Sequence, residues 1–204
     1  MTRLKEYALH SLVWLSRFRY RRGWGIHSPF AYRFVHEVVF PDGNFAEYRT
    51  LADMRRSNGV TTWPRYDRLF LRLAHFAKPG NVVVFGRNAH IVSRYISCGH
   101  KPETMCSHNN NLNETLRSIE AMPSVDMLYV NDAAAAERLY NAAIGRVQPE
   151  SMMVIRGIGH DDALRRLWKR IEADDRTVIT FDLYYLGIVM FRRGMSKEAF
   201  KVCF

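Results

Sequence analysis

The sequence of 204 residues has few cysteines and no long apolar run, and each shortage excludes a class of protein. The three cysteines, Cys98, Cys106 and Cys203, are scattered and form no CxxC pair. This spacing argues against a zinc site and against a disulfide framework. No apolar run reaches the roughly 18 residues that a membrane-spanning helix needs. The N-terminus has no signal-peptide pattern, so a cytoplasmic location is expected.

Acidic residues are scarce in the first part of the chain. Residues 1–80 hold 14 lysines and arginines against 6 acidic residues, whereas residues 81–204 hold 16 against 14. The excess of positive charge suggests an anionic partner, which could be nucleic acid, a membrane surface or a protein. A solvated basic face is the alternative. The residues that would contact such a partner are Arg17, Arg19, Arg21 and Arg22.

Helical patterns dominate residues 1–80. Leu4–Arg19 is amphipathic, and it could lie on a membrane surface or pack on the rest of the protein. Ser28 is a good N-cap and Pro29 suits the first position of a second helix. Ala46–Ser57 and Tyr66–Ala77 are predicted to be helical as well. These residues form a basic N-terminal extension or lid.

From residue 81 onwards, short apolar runs alternate with helical segments. The predicted strands are Val82–Phe85, Met105–Cys106, Met127–Val130, Met152–Ile155, Val178–Phe181 and Ile188–Phe191. The helices between them are Ile91–Cys98, Leu112–Ala121, Ala133–Arg146 and Asp161–Ala173. This alternation predicts a mostly parallel sheet with helices on both faces, over residues 81–204. Only Leu183–Gly187 separates the last two strands, which is too short for a helical crossover, so they should pair antiparallel.

The segment Asn81–His90, NVVVFGRNAH, reads as a buried strand that runs into a tight turn at Gly86 and then into a helix. Such a strand–glycine–helix junction is where open α/β sheets bind nucleotides. Glycine allows a positive φ and lets a ligand approach the backbone closely. An ordinary strand-to-helix turn explains the glycine equally well.

Three further segments have recognisable patterns. Gly25–Phe34 reads GIHSPFAYRF, Phe181–Arg193 reads FDLYYLGIVMFRR, and Val154–Ile171 combines a strand with a helix that carries a tryptophan. Together they resemble a bacterial family of S-adenosylmethionine-dependent methyltransferases with an HSPF signature near the N-terminus. The resemblance implies a Rossmann-like class I methyltransferase sheet, mostly parallel with an antiparallel C-terminal hairpin. It also implies S-adenosylmethionine as the cofactor.

The resemblance further implies that the cofactor lies against the ends of three strands. The residues at these places are Gly86, Arg87, Asn88, His90, Ser107, His108 and Asn131. The family has an acidic residue before the glycine and a second glycine after it, whereas this chain has Val84 and His90 there. Ser107 and His108 replace a carboxylate that would hold the ribose, and neutral groups form weaker hydrogen bonds. Residues 106–126 are too few for the expected helix–strand–helix, so one strand is predicted to be missing.

His160 and Asp132 are the catalytic candidates, because each follows a predicted strand at the edge where such sheets bind ligands. A histidine there could be the general base for methyl transfer to oxygen or nitrogen. An ordinary polar loop residue is the alternative for His160. Asp161 and Asp162 could hold a cation together with Asp132, but helix capping explains them equally well. No metal site is predicted.

Two functions remain open from the sequence. The first is methyl transfer from S-adenosylmethionine to an unknown acceptor. The second is a non-catalytic relative that keeps the methyltransferase fold as a scaffold and binds an anionic partner through its basic N-terminal region. The resemblance favours the first function, and the altered cofactor loop favours the second.

Overall fold

The computed structural model describes residues 15–43, 45–60 and 64–204. Most of the predicted first helix, Leu4–Arg19, therefore lies outside the described residues. In these ranges the N-terminal part contains a 3-10 turn at Phe18–Tyr20, helix α1 at Pro29–Phe34, a π-helical turn at Val35–Val39, α2 at Glu47–Ser57 and α3 at Pro64–Ala77. The Ser28 hydroxyl accepts a hydrogen bond from the Ala31 amide, which confirms the predicted cap.

Strands and helices alternate after residue 80, as predicted. The strands are β1 Asn81–Gly86, β2 Thr104–His108, β3 Met127–Asn131, β4 Met152–Arg156, β5 Ile179–Asp182, β6 Leu186–Met190 and β7 Glu198–Lys201. The helices are α4 Ala89–Gly99, α5 Leu112–Ala121, α6 Ala136–Ala143 and α7 Asp162–Ala173. In the described ranges, no helix is long and apolar enough to cross a bilayer.

The seven strands form one sheet in the order β2-β1-β3-β4-β6-β5-β7. Strand β6 is antiparallel to both of its neighbours, and the other pairs are parallel. This arrangement confirms the mostly parallel sheet with an antiparallel C-terminal hairpin. Strand β7 was not predicted, because its four residues include only two apolar ones, Ala199 and Phe200, between two charged ones.

The sheet lacks one strand that the family resemblance implies between β2 and β3. A single helix, α5, connects β2 to β3, with no strand between them. Strand β2 consequently lies at the edge of the sheet instead of one position further in. The segment between Cys106 and Asp126 is thus too short to hold this strand, as predicted.

Apolar side chains alternate between the two faces of the sheet, and each face carries its own cluster. Val82 and Val84 of β1 pack with residues of α3 and α4. Val83 and Phe85 face the opposite way and pack with residues of α5, α6 and α7. Residues from both sides of position 80 contribute to the first cluster.

Helix α7 packs on the antiparallel hairpin through a contact between a tryptophan and a glycine. Gly187 of β6 lies beneath the ring of Trp168, and a Cβ added to this glycine would overlap the ring, with 2.7 Å to Cη2. Both residues belong to segments that carry the family resemblance. Their packing gives a physical reason for that pattern, because only a residue without a side chain leaves room for the indole.

Candidate functional site

The sheet has a topological switch point between β1 and β3. The chain leaves β1 through α4 towards β2 on one side, and β3 lies on the other side of β1. Crossover connections that diverge in this way open a crevice at the carboxyl ends of the strands, where open α/β sheets bind ligands. Gly86, the last residue of β1, is paired with Asn131, the last residue of β3.

Gly86 makes the turn from β1 into α4. Its φ is +106°, and a Cβ at this position would overlap the carbonyl of Asn131, with 2.6 Å to the carbonyl carbon. Asn88 follows with a φ of 62°, in the left-handed region. The tight turn predicted at Gly86 is confirmed, and its cause is the close approach of the β3 backbone.

Two side-chain amides hold the loop after β1. Asn131 Nδ2 donates to the carbonyl of Arg87 at 3.0 Å. Asn109, which follows β2, accepts from the Ala89 amide at 3.1 Å through Oδ1. The first amide of α4 is therefore already bonded within the chain. Predicted cofactor residues from β1 and β3 do lie together, and Asn109 joins them from β2.

His108 at the end of β2 has a defined orientation. Its Nδ1 lies 3.0 Å from the hydroxyl oxygen of Thr115, and that hydroxyl donates to a main-chain carbonyl. The hydroxyl proton is thus used elsewhere, so His108 Nδ1 is the donor of this pair. Its Nε2 faces Glu114 at 3.5 Å. Ser107 lies 2.8 Å from the hydroxyl of Ser93 in α4.

Glu114 is a carboxylate near the end of β2 that the sequence interpretation missed. It belongs to the first turn of α5, and its amide donates to Asn111 Oδ1 at 3.2 Å in a capping arrangement. The signal was present as asparagine followed three residues later by glutamate. Arg87 and His90, by contrast, are exposed, and neither side chain bonds to a described residue.

The two catalytic candidates are not bonded to each other in the described part of the chain. Asp132 Oδ1 accepts from the Ala135 amide at 2.8 Å and so caps the start of α6. His160 follows β4, and its ring is 5.7 Å from that of Tyr185. Partial loss of water around the ring, together with the charge of Arg156, lowers the pKa of His160 below its ordinary value. The lowered pKa favours the neutral imidazole, which is the form that can accept a proton.

Metal binding has no support among the residues that the structure describes. No group of three or more histidine, cysteine or acidic side chains in these ranges could hold an ion. Asp161 Oδ1 accepts from the Leu164 amide at 2.9 Å, so it is the N-cap of α7.

A buried group of charges at the carboxyl end of β4 escaped prediction. Asp67 of α3 forms ion pairs with Arg55 of α2 and, at 3.8 Å, with Arg156 at the end of β4. Burial lowers the pKa of the Arg55 guanidinium. The group ties the N-terminal helices to the carboxyl end of β4. Its only sequence signal was one aspartate within an otherwise apolar and basic helix.

Arg17 is bonded within the chain. Its guanidinium donates to both carboxylate oxygens of Asp182, at 2.9 and 2.7 Å, and lies 5.1 Å from the ring centroid of Tyr184. Asp182 ends β5, so this contact fixes the N-terminal segment across the carboxyl edge of the sheet. The charge of Arg17 is therefore paired within the chain, and the anionic partner predicted for Arg17, Arg19, Arg21 and Arg22 stays a prediction.

Comparisons with known proteins bear on the fold. No family model matches the sequence, and no curated protein does. The O-methyltransferase from Bacillus cereus in complex with SAH is 10% identical, with a TM-score of 0.55 over 78% of this chain and 96% of that chain. The O-methyltransferase TomG from Streptomyces achromogenes in complex with SAM is 12% identical, with a TM-score of 0.53 over 74% and 91%. SAH-bound PaMTH1 from Podospora anserina is 9% identical, with a TM-score of 0.53 over 82% and 97%. The chain has the Rossmann-like fold of class I methyltransferases.

Proposed function

We propose that the protein is an S-adenosylmethionine-dependent methyltransferase with its cofactor crevice between the ends of β1 and β3. The observation that carries the proposal is the turn at Gly86, which is packed against the Asn131 carbonyl at the switch point of the sheet. Solved structures of the same fold are described as complexes with SAM or SAH. The low identities leave the acceptor open.

The residues at the crevice fit a cofactor held without a carboxylate. Asn131 and the Gly86–Asn88 turn would hold the amino acid end, and Ser107 with His108 would hold the ribose. The final residues of β1, β2 and β3 are Gly86, His108 and Asn131, so none of these strands ends in a carboxylate. The bonds to the ribose would therefore lack charge assistance, and we expect micromolar affinity rather than tighter binding.

The reaction needs little more from the chain than alignment and one proton transfer. When bound, S-adenosylmethionine supplies an electrophilic methyl group, and holding the acceptor in line with it provides most of the acceleration. His160 would accept the proton of the acceptor, since its lowered pKa favours the neutral imidazole. Asp132 would hold the start of α6 in place beside the crevice through its bond to Ala135.

A non-catalytic scaffold is the second candidate, and one observation favours it. The polar groups at the crevice already bond to one another, through Asn131 with Arg87 and Asn109 with Ala89. A ligand would have to replace some of these bonds. The two functions differ in a simple respect, since a scaffold of this kind would bind neither S-adenosylmethionine nor its demethylated product.

Calorimetric titration with S-adenosylhomocysteine tests the proposal. We expect micromolar binding by the unchanged protein and a loss of about tenfold or more in Asn131→Ala. Asn81→Ala is the matched control. Asn81 is the first residue of β1, at the end of the strand away from the crevice, and its side chain also donates one hydrogen bond, at 3.0 Å to Ser124. Both variants should unfold at similar temperatures, and only Asn131→Ala should bind weakly.

Two results would contradict the proposal. No heat of binding at millimolar ligand would favour the scaffold. Equal weakening of binding in both asparagine variants would show that the affinity depends on the overall stability of the protein and not on the crevice residue Asn131.

A further inference from the structure

A cavity lies away from the crevice, among residues of the N-terminal segment. It has a volume of about 740 Å³, and we call it the N-terminal cavity. Its lining consists of Arg21, Arg22, Gly23, Trp24, Gly25, Ile26, Tyr32, His36, Phe40 and Cys203. Cys203 follows β7 and forms a parallel bridge with Arg21. Strand β7 is five positions from β1 in the sheet, which corresponds to roughly 24 Å at ordinary strand spacing.

The polar lining of the N-terminal cavity is cationic. It contains two arginines and a histidine but no carboxylate. Arg22 is exposed and has no ion pair or hydrogen bond with the residues that the structure describes. The imidazole ring of His36 lines the same cavity. Because the lining has no carboxylate, the two arginines favour an anionic ligand.

Aromatic rings accompany these cations. Trp24 is 79% exposed and Tyr32 is 48% exposed, although large apolar rings are normally covered. The Tyr32 ring contacts the His36 ring in a tilted arrangement, with 4.3 Å between ring centroids and 35° between the ring planes. Exposed rings beside cationic groups form the stacking platforms on which proteins bind nucleobases.

The backbone that presents Trp24 is held in an unusual conformation. Arg22 has a φ of 48°, followed by Gly23 at 74° and Gly25 at 84°. A bulky residue in the left-handed region is strained, and such strain persists where surrounding structure fixes it. Here the bridge between Arg21 and Cys203 fixes the segment. The turn holds Arg22 and Trp24 at the mouth of the N-terminal cavity.

We infer that the N-terminal cavity binds a nucleotide, either free or as part of single-stranded RNA. Its volume lies within the range of small-ligand sites. No lysine occurs between residues 6 and 77, where the sequence has eleven arginines. Planar guanidinium groups bind phosphate through paired hydrogen bonds and stack on rings, which an ammonium group does not do. The concave shape favours a discrete ligand over the broad surface of a membrane.

Two probes distinguish the sources of the nucleotide. Adenosine 5′-monophosphate is titrated by calorimetry, and a labelled single-stranded oligoadenylate of about ten nucleotides by fluorescence anisotropy. If both probes bind, a free nucleotide is sufficient as the ligand. If only the oligoadenylate binds, the ligand is single-stranded RNA. We expect the affinity to fall by about tenfold or more in Trp24→Ala and in the double variant Arg21→Gln/Arg22→Gln.

Arg33→Gln is the matched control. Arg33 is an exposed arginine beside Tyr32 in α1 that does not line the N-terminal cavity, and its replacement should change the affinity by less than about twofold. Saturating S-adenosylhomocysteine should leave nucleotide binding unchanged, which separates this site from the crevice and from the proposed function.

Four outcomes would overturn the inference. They are the absence of binding by both probes at millimolar concentration, an equal loss in Arg33→Gln, competition by S-adenosylhomocysteine, and binding to anionic phosphatidylserine vesicles in place of either probe. The last outcome would assign the surface to membranes.

Discussion

Replacing Asp67 with alanine is expected to lower the free energy of unfolding by about 3–5 kcal/mol. Asp67 is almost fully buried, and its carboxylate faces Arg55 and Arg156. Removal of the carboxylate leaves two guanidinium groups close together in a poorly hydrated place, and an arginine cannot discharge by losing a proton. Urea denaturation followed by circular dichroism measures the change.

Asp53→Ala is the control for this prediction. Asp53 pairs with Arg56 on the surface of α2, and both side chains are more than half exposed. Exposed pairs contribute little, so the expected change is within about 1 kcal/mol. A loss below about 1 kcal/mol in Asp67→Ala would mean that the buried charges are hydrated or compensated in another way.

Replacing Gly86 with alanine is expected to cost about 2–4 kcal/mol of folding free energy. Two causes combine, because the φ of +106° is unfavourable for any residue with a Cβ and the added carbon would overlap the Asn131 carbonyl. Relief of the overlap requires β1 and β3 to separate at the crevice. Binding of S-adenosylhomocysteine should therefore weaken by about tenfold or more, beyond the loss of stability.

Gly145→Ala is the control for this prediction, because it shows what replacing a glycine costs at a position without close contacts. Apart from the backbone around Gly145 itself, no atom of the described residues lies within 4 Å of a Cβ built at this position. Alanine there should leave stability unchanged or raise it by up to about 1 kcal/mol. Similar denaturation midpoints for the two glycine variants would contradict the role assigned to the β1 turn.

The order of the elements could be predicted from the sequence because each strand after residue 80, apart from β2 and β7, is a short apolar run. For β2 the only signal was the apolar pair Met105 and Cys106. The spacing Leu183–Gly187 was enough to predict the antiparallel hairpin. The missing strand was predicted by comparing the short segment after Cys106 with the pattern that the resemblance implies. These features depend on local length and periodicity. Strand β7 forms because it pairs with β5. This pairing joins distant segments of the chain, so the sequence of β7 itself does not indicate a strand.

The candidate site was predictable only in part. Gly86 and Asn131 were placed correctly at strand ends, and the sheet brings them together. Their neighbours depend on tertiary contacts between distant segments, such as the bond of Asn109 to Ala89 and the burial of Asp67 beside Arg156. No periodicity encodes such pairs.

The most direct test of the proposed crevice is the response of backbone amide signals to S-adenosylhomocysteine. In ¹⁵N-labelled protein, saturating ligand should shift the amide signals of Gly86, Arg87 and Asn131, and those of the loop after β2. The amides of Arg21–Ile26 in the N-terminal cavity should stay unchanged. The absence of shifts at millimolar ligand, or shifts confined to Arg21–Ile26, would contradict cofactor binding between β1 and β3.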